Sequence, residues 1–308
     1  VTDVVSQAAP ASGTPLPPMT NPAPTAGLLE VFRRRYLLRL LVRREISARY
    51  SGSFLGLLWS YINPLSQFCI YFFIMGTIFQ LHKTIPNFAI HIFAAIIIAH
   101  FFSETFNAGT RSIVRNKAIV RKMAVPLEMF PVASMAVSLY HVGPQMIILV
   151  VACLFSGWAP EPVGVLAVLL ALAIIMVLGT GMALVFSAAN VFFRDVGSVV
   201  NILTNLIRFS VPMIYSYEMV QTRFPDWLAP YFVWNPVADA VMLFQRAFWI
   251  DTIDPADLAE IEPGVTMGDL LPGNLIELGF LALGGSIVFL VLAQFIFRRF
   301  EPRIPERI

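Results

Sequence analysis

Long apolar runs, separated by short basic or proline-bearing stretches, dominate the chain from residue 57 onward. A helix needs about 20 mostly apolar residues to cross the hydrocarbon core of a bilayer. Runs of that kind fall near 57–80, 88–107, 129–156, 164–190, 199–217 and 275–297, and they predict six transmembrane helices. The third and fourth are long enough to tilt or to project beyond the bilayer. Between the fifth and sixth the pattern changes. Glu218 to Trp249 alternates aromatic and polar residues and carries prolines at 225, 230 and 236. Such interrupted backbone is tolerated at membrane depth only when buried in protein or lining a cavity. Residues 218–249 are therefore expected to form a re-entrant helical hairpin, followed by an extracytoplasmic loop over 250–274.

Composition agrees with an integral membrane protein. Of 308 residues, 57% are hydrophobic and 13% charged, with a mean hydropathy of +0.75. Soluble domains carry about a quarter charged residues. The two cysteines, Cys69 and Cys153, both lie in apolar runs and read as packing residues. Residues 1–27, rich in Ala, Pro, Ser and Thr, are expected to be a disordered cytoplasmic tail. They lack the basic head, compact apolar core and cleavage site of a signal peptide. Most of the 21 Lys and Arg fall before the first run, after the second, after the fourth and after the sixth. By the positive-inside rule that face is cytoplasmic, with both termini inside and a short cytoplasmic C-terminus at 301–308.

Two basic elements stand out on that face. Residues 28–50 place Arg35, Arg39 and Arg43 on one helical stripe, with Leu37 and Leu41 opposite. This predicts an amphipathic interfacial helix, although a simple topology signal would also explain the charge. The second element, Arg111 to Pro126, is short, basic and helix-compatible. Asn116, Ile119 and Met123 share one face there, among Lys117, Arg121 and Lys122. Phospholipid headgroups and a protein groove are both compatible with that pattern.

Read together and in order, several motifs resemble the type-2 ABC exporter permeases of bacterial surface polysaccharides, which export O-antigen, teichoic acid, capsule or cell-wall galactan. The resemblance rests on Arg49-Tyr50, Leu55-Gly56, Trp59 and Pro64 at the first run, then on Asn116, Lys122 and Pro126 in the basic segment. It continues with Phe193-Arg194-Asp195 after the fourth run, Pro212 late in the fifth, and Asn235-Pro236 with Arg246 in the hairpin. It spans roughly residues 29–300. The proline-rich tail and Ala124 depart from it.

The resemblance implies an all-α integral membrane fold of six transmembrane helices, with an N-terminal interfacial helix, a cytoplasmic coupling helix and a re-entrant hairpin before the last span. The transmembrane permease domain would run from 51 to 300. It implies a bacterial inner-membrane homodimer that binds two copies of a separate ABC ATPase and exports a polyprenyl-diphosphate-linked glycan. The Ala/Pro-rich start of the chain suggests a high-GC bacterium and makes cell-wall galactan an expected cargo. The coupling residues would be Asn116, Lys117, Ile119, Arg121, Lys122 and Met123. ATP and Mg2+ would belong to the partner, and this chain would hold no cofactor and no metal. The residues agree on one independent point: the lysines are 83, 117 and 122, and none lies in a G-x-x-x-x-G-K-[ST] phosphate loop. Membrane lipids are expected partners; nucleic acid is not.

Candidate transport residues follow from the same reading. Arg43, Arg44 and Arg49 would receive the diphosphate at the cytoplasmic interface. Tyr61, Phe68, Tyr71 and Phe72 in the first span, with Phe209, Tyr215 and Tyr217 in the fifth, would line the channel. Trp227, Tyr231 and Trp234 in the hairpin belong to the same aromatic set, and Trp227 and Trp234 would close the outer end. Aromatic rings stack on the C–H faces of sugars, although ordinary packing is open for each of them. Two other classes remain. An ion-coupled flippase would use intramembrane ionisable groups. The second span has His91, His100 and Glu104, while His141, Glu277 and Gln294 are isolated. His100 and Glu104 sit at i, i+4 and read as a locally satisfied pair. A membrane enzyme acting on polyprenyl-linked sugars would need clustered carboxylates, and the proline-interrupted acidic run from Asp251 to Asp269 reads as a solvated loop instead.

Overall fold

Away from water a chain must satisfy its own backbone N–H and C=O groups, and an uninterrupted apolar run does so as a helix. The computed structural model describes residues 27–123, 125–223, 225, 232–256, 258 and 266–308, and among these every regular element is helical. In chain order, α1 (Leu28–Arg33) and α2 (Arg35–Tyr50) precede α3 (Trp59–Tyr71). Then come α4 (Phe88–Arg115), the short α5 (Lys117–Lys122), α6 (Met129–Phe155), α7 (Pro162–Phe192) and α8 (Val196–Phe209). The last are α9 (Tyr217–Arg223), α10 (Pro236–Phe248), α11 (Leu275–Phe300) and α12 (Ile304–Arg307). The expected tail, apart from Gly27, and parts of the expected hairpin and of loop 250–274 lie outside the described residues.

Four of these helices, α4, α6, α7 and α11, are long and apolar enough to cross a membrane. The first and fifth expected spans are built differently. The first is a 3-10 turn (Gly56–Leu58), then α3, then a π-helical stretch (Phe72–Ile78). Pro64 lies inside α3, where it supplies no N–H to the ladder. The fifth is not one continuous helix over 199–217. α8 ends at Phe209, and the chain is irregular until α9 begins at Tyr217. Pro212 is the cause: it lacks an N–H and biases Val211 away from helical geometry. Two of the carbonyls at the break are taken up by α10 and its cap. Gln245 Nε2 donates to Pro212 O at 2.7 Å, and Asn235 Nδ2 donates to Ser210 O at 3.3 Å.

α10 itself starts as the sequence demands. Asn235 caps it by accepting from the Val237 N–H at 3.1 Å, and Pro236 takes the first helical position. Nearly all of the helix is buried. Trp249 just beyond it donates Nε1–H to Pro86 O at 2.7 Å, and Trp158 donates to Ala247 O at 2.8 Å, tying one end of the bundle together.

α4 is the central helix, with α6, α7, α8 and α10 packed around it and α11 against α7 and α10. Small residues permit the close approach of α4 and α7. Gly109 faces Ala183 and Gly179 faces Thr105 with no room for a further Cβ. At the opposite end from Trp249, α2 lies across this bundle. Leu37, Leu38 and Leu41 pack onto a second apolar cluster that includes Ile113, Phe130 and Phe297. Arg35, Arg39 and Arg43 remain exposed, beside a second exposed stripe of Leu29, Phe32, Tyr36 and Leu40.

Candidate transport site

Three polar links join α2 to the far half of α4. Arg44 Nη1 donates to Asn116 Oδ1 at 3.0 Å, Glu45 is ion-paired with Arg115, and Arg49 is ion-paired with Glu104. Of the three arginines expected to receive a diphosphate, only Arg43 is exposed and free of such a link among the described residues. Glu104 is satisfied by Arg49 from another helix, which corrects its reading as a local pair with His100. The contact could not be read from spacing, because the partners are 55 residues apart. Burial works against the Arg49 charge, but the Glu104 carboxylate and its hydrogen bond outweigh that and hold the guanidinium pKa above its usual value.

The Arg49–Glu104 pair sits at the wall of a polar cavity of about 310 Å³ between α2, α3, α4 and α6. Tyr50 Oη and Ser60 Oγ share a hydrogen bond there, and Ser60 Oγ lies 3.1 Å from His141 Nδ1. Gln145 anchors its Nε2 on His141 O at 3.0 Å. His100 also lines this cavity, and it lines a smaller recess shared with Gln67 and Arg208. Arg208, on α8, has no carboxylate partner among the described residues.

α8 supplies a feature that sequence reasoning missed. Its exposed face carries Ser198, Asn201 and Asn205 at i, i+3, i+7, next to exposed Val199, Ile202, Leu206 and Phe209. The helix is strongly amphipathic, and that periodicity was the available signal. Exposed amides on a helix this apolar need a wet or polar neighbour rather than lipid.

The expected aromatic lining is dispersed. Phe68 stacks on Phe72 (5.7 Å between centroids) and meets Phe93 edge-on at 5.2 Å, so both contribute to core packing. Tyr61 and Tyr71 are half-buried. Phe209 is exposed, and Tyr215 donates its hydroxyl to Phe209 O at 2.8 Å across the break after α8. Tyr217 is buried in the core, where its hydroxyl accepts from Gln221 at 2.8 Å. Trp234 is 82% exposed, whereas Trp227 and Tyr231 lie outside the described residues.

Of the second basic element, residues 111–115 finish α4 and Lys117–Lys122 forms α5, six residues long. Lys117, Arg121 and Lys122 are exposed, and Met123 is 54% exposed. Asn116 and Ile119 turn the other way. Asn116 is buried, donates to Ser112 O at 2.9 Å and closes α4; Ile119 packs on the second cluster. The shared face expected for Asn116, Ile119 and Met123 is broken because the backbone turns extended at Met123, which leaves Met123 as the apolar edge beside the charges.

Residues 36–249 match the family described as ABC-2 type transporter. The chain is 27% identical over 219 residues to the O-antigen export system permease protein RfbA of Klebsiella pneumoniae, covering 71% of this chain and 82% of that protein. It is 26% identical over 229 residues to the protein of the same name from Myxococcus xanthus, covering 74% and 86%. The capsule polysaccharide export inner-membrane protein CtrC of Neisseria meningitidis matches at 20% over 233 residues, covering 74% and 85%.

Proposed function

This chain belongs to the ABC-2 type transporter family, and on that footing we propose that it is the transmembrane subunit of an ATP-driven polysaccharide exporter. Its cargo is a polyprenyl-diphosphate-linked glycan, cell-wall galactan among the candidates, moved from the cytoplasmic to the outer side of the bacterial inner membrane. Two copies of the chain form the conduit, and two copies of a separate ATPase supply the energy. The polar stripe of Ser198, Asn201 and Asn205 on α8 carries this reading. A sugar chain needs hydrogen-bonding groups along its path, and lipid would leave these amides unmatched.

Other features support the same scheme. The exposed stripe of Leu29, Phe32, Tyr36 and Leu40 beside Arg35, Arg39 and Arg43 suits a helix lying in the cytoplasmic headgroup layer. Arg43, exposed and without a side-chain ion pair among the described residues, suits first contact with a diphosphate. On the same face, Lys117, Arg121, Lys122 and Met123 offer the ATPase a compact basic knob with one apolar side chain. The broken chain after α8, held by α10, suits six crossings with a re-entrant hairpin capping the conduit near Trp234. Co-expression with an ATPase bearing a phosphate loop tests the pairing. A stable complex is expected, with hydrolysis absent from the permease alone, and replacing Arg121 and Lys122 with glutamate should dissociate it. ATP hydrolysis by the purified chain alone would contradict the assignment.

A further inference from the structure

The cavity beside Arg49 is lined as a saccharide site is, rather than as a pore wall. Trp59 is among the lining residues and is 43% exposed, an aromatic ring of the kind on which sugars stack. Asn63, exposed one helical turn further along α3, adds an amide that has no side-chain partner among the described residues. In the interior, Gln145 is 1% exposed and its Oε1 has no hydrogen-bond partner among the described residues. A buried acceptor left unmatched is costly, and a ligand hydroxyl or N–H is what it lacks. An acyl chain brings no such donor. A bare phosphate would answer Arg49 and leave Gln145 and Trp59 unused.

We infer that this cavity is a subsite for the lipid-proximal sugar of the cargo, held with its phosphate on Arg49. The inference rests on the export reading only for the attachment of that sugar to a lipid. At about 310 Å³ the cavity lies at the small end of ligand sites, roughly 300–1,000 Å³, and admits one ring rather than a chain. Binding exchanges partners: the planar Arg49 guanidinium leaves the Glu104 carboxylate for the phosphate, whose geometry it matches with two parallel hydrogen bonds. Glu104 is not abandoned by the exchange. His100 lies one helical turn away on α4, and the recess behind His100 holds Arg208. The pair is thus a latch that an anionic sugar opens.

Full-length protein in phosphatidylcholine nanodiscs can be titrated with N-acetylglucosamine 1-phosphate, glucose 1-phosphate, N-acetylglucosamine and inorganic phosphate, with affinities read by ligand-observed NMR. At least one sugar phosphate should bind tenfold or more tighter than inorganic phosphate and than the free sugar. Gln145→Leu and the surface change Asn63→Ala should each weaken the sugar phosphate at least fivefold while leaving inorganic phosphate unchanged. Glu104→Gln, which frees Arg49, should tighten every phosphate-bearing ligand. Inorganic phosphate binding as well as the sugar phosphates would overturn the proposal and leave an anion site of the kind that takes a phospholipid headgroup. Absence of binding, or variants that affect all ligands alike, would overturn it too. The assay uses neither ATPase nor export, so its failure is separable from failure of the export reading.

Discussion

Arg44 of α2 donates a 3.0 Å hydrogen bond to Oδ1 of Asn116, the residue that closes α4 and opens α5. Beside it, Glu45 is paired with Arg115. The exposed basic knob and the arginine-rich helix are therefore fastened to the same end of α4. A hydrogen bond to a charged group contributes about 1.5–3 kcal/mol, enough to matter for how stiffly the two helices move together.

Coupling should depend on that contact. Arg44→Ala is expected to lower the amount of glycan exported per ATP hydrolysed by about tenfold, the factor that about 1.4 kcal/mol represents. Binding of the ATPase should be unaffected. Parallel measurement of transport and hydrolysis in proteoliposomes checks this; an unchanged ratio would show the link to be structural only.

The polar stripe on α8 makes a second claim. Replacing both Asn201 and Asn205 with leucine should reduce export strongly without lowering the amount of folded protein, since both side chains are exposed. Phe295→Ala on α11, also exposed but on an apolar face, should leave export unchanged. Equal effects of the two substitutions in a cell-surface glycan assay would place the conduit elsewhere.

Packing between α4 and α7 makes a third. At Gly179 a new Cβ would lie 2.9 Å from Thr105 Cγ2, and at Gly109 it would collide with Ala183. Gly109→Leu should destabilise the bundle by about 1–3 kcal/mol or more through overpacking. Gly143 has nothing within 4 Å of an added Cβ, so Gly143→Ala should be tolerated. Melting temperatures in detergent separate the two.

A pH effect is expected at the C-terminal segment. Burial pushes the Glu301 carboxyl up to about 7 from its ordinary 4.5, the Glu128 carboxylate pushes the same way, and Arg298 opposes both. Gln294 Nε2 already donates to Glu128 at 2.9 Å, and Ile304 is buried in the second cluster nearby. A folded-state pKa above the unfolded one means that the folded chain holds the extra proton between these values. Its stability is therefore full below about 4.5 and is lost as pH rises through 7. Amide exchange around Ile304 should accelerate across that window in the native chain and stay level in Glu301→Gln.

Much of the scaffold was legible because apolar length is a local property. The runs that gave α4, α6, α7 and α11 needed no tertiary information, and neither did the basic stretches that became α2 and α5. The fifth run is not one continuous helix, because Pro212 interrupts it; the proline was visible in the sequence, but the partners that satisfy the break were not. Its break is held in part by Gln245 and Asn235, 33 and 25 residues from their acceptors along the chain. The site was less legible for the same reason. Tyr50, Ser60 and His141 meet from three segments, and Glu104 finds Arg49 rather than its helical neighbour. Asn116 carries the right residue type for a surface contact but is consumed as a helix-closing group. Aromatic content alone could not separate Phe68 and Phe72, which pack inward, from Phe209, which does not.

The central claim is that this chain conducts a lipid-linked glycan on energy supplied by a partner ATPase. Transport of such a glycan into proteoliposomes containing the chain and its ATPase tests it most directly. The account predicts uptake that requires ATP, that stops when the phosphate-loop lysine of the partner is replaced by alanine, and that persists when ionophores collapse every ion gradient. Uptake by the chain without its ATPase, abolished by the ionophores, would contradict it.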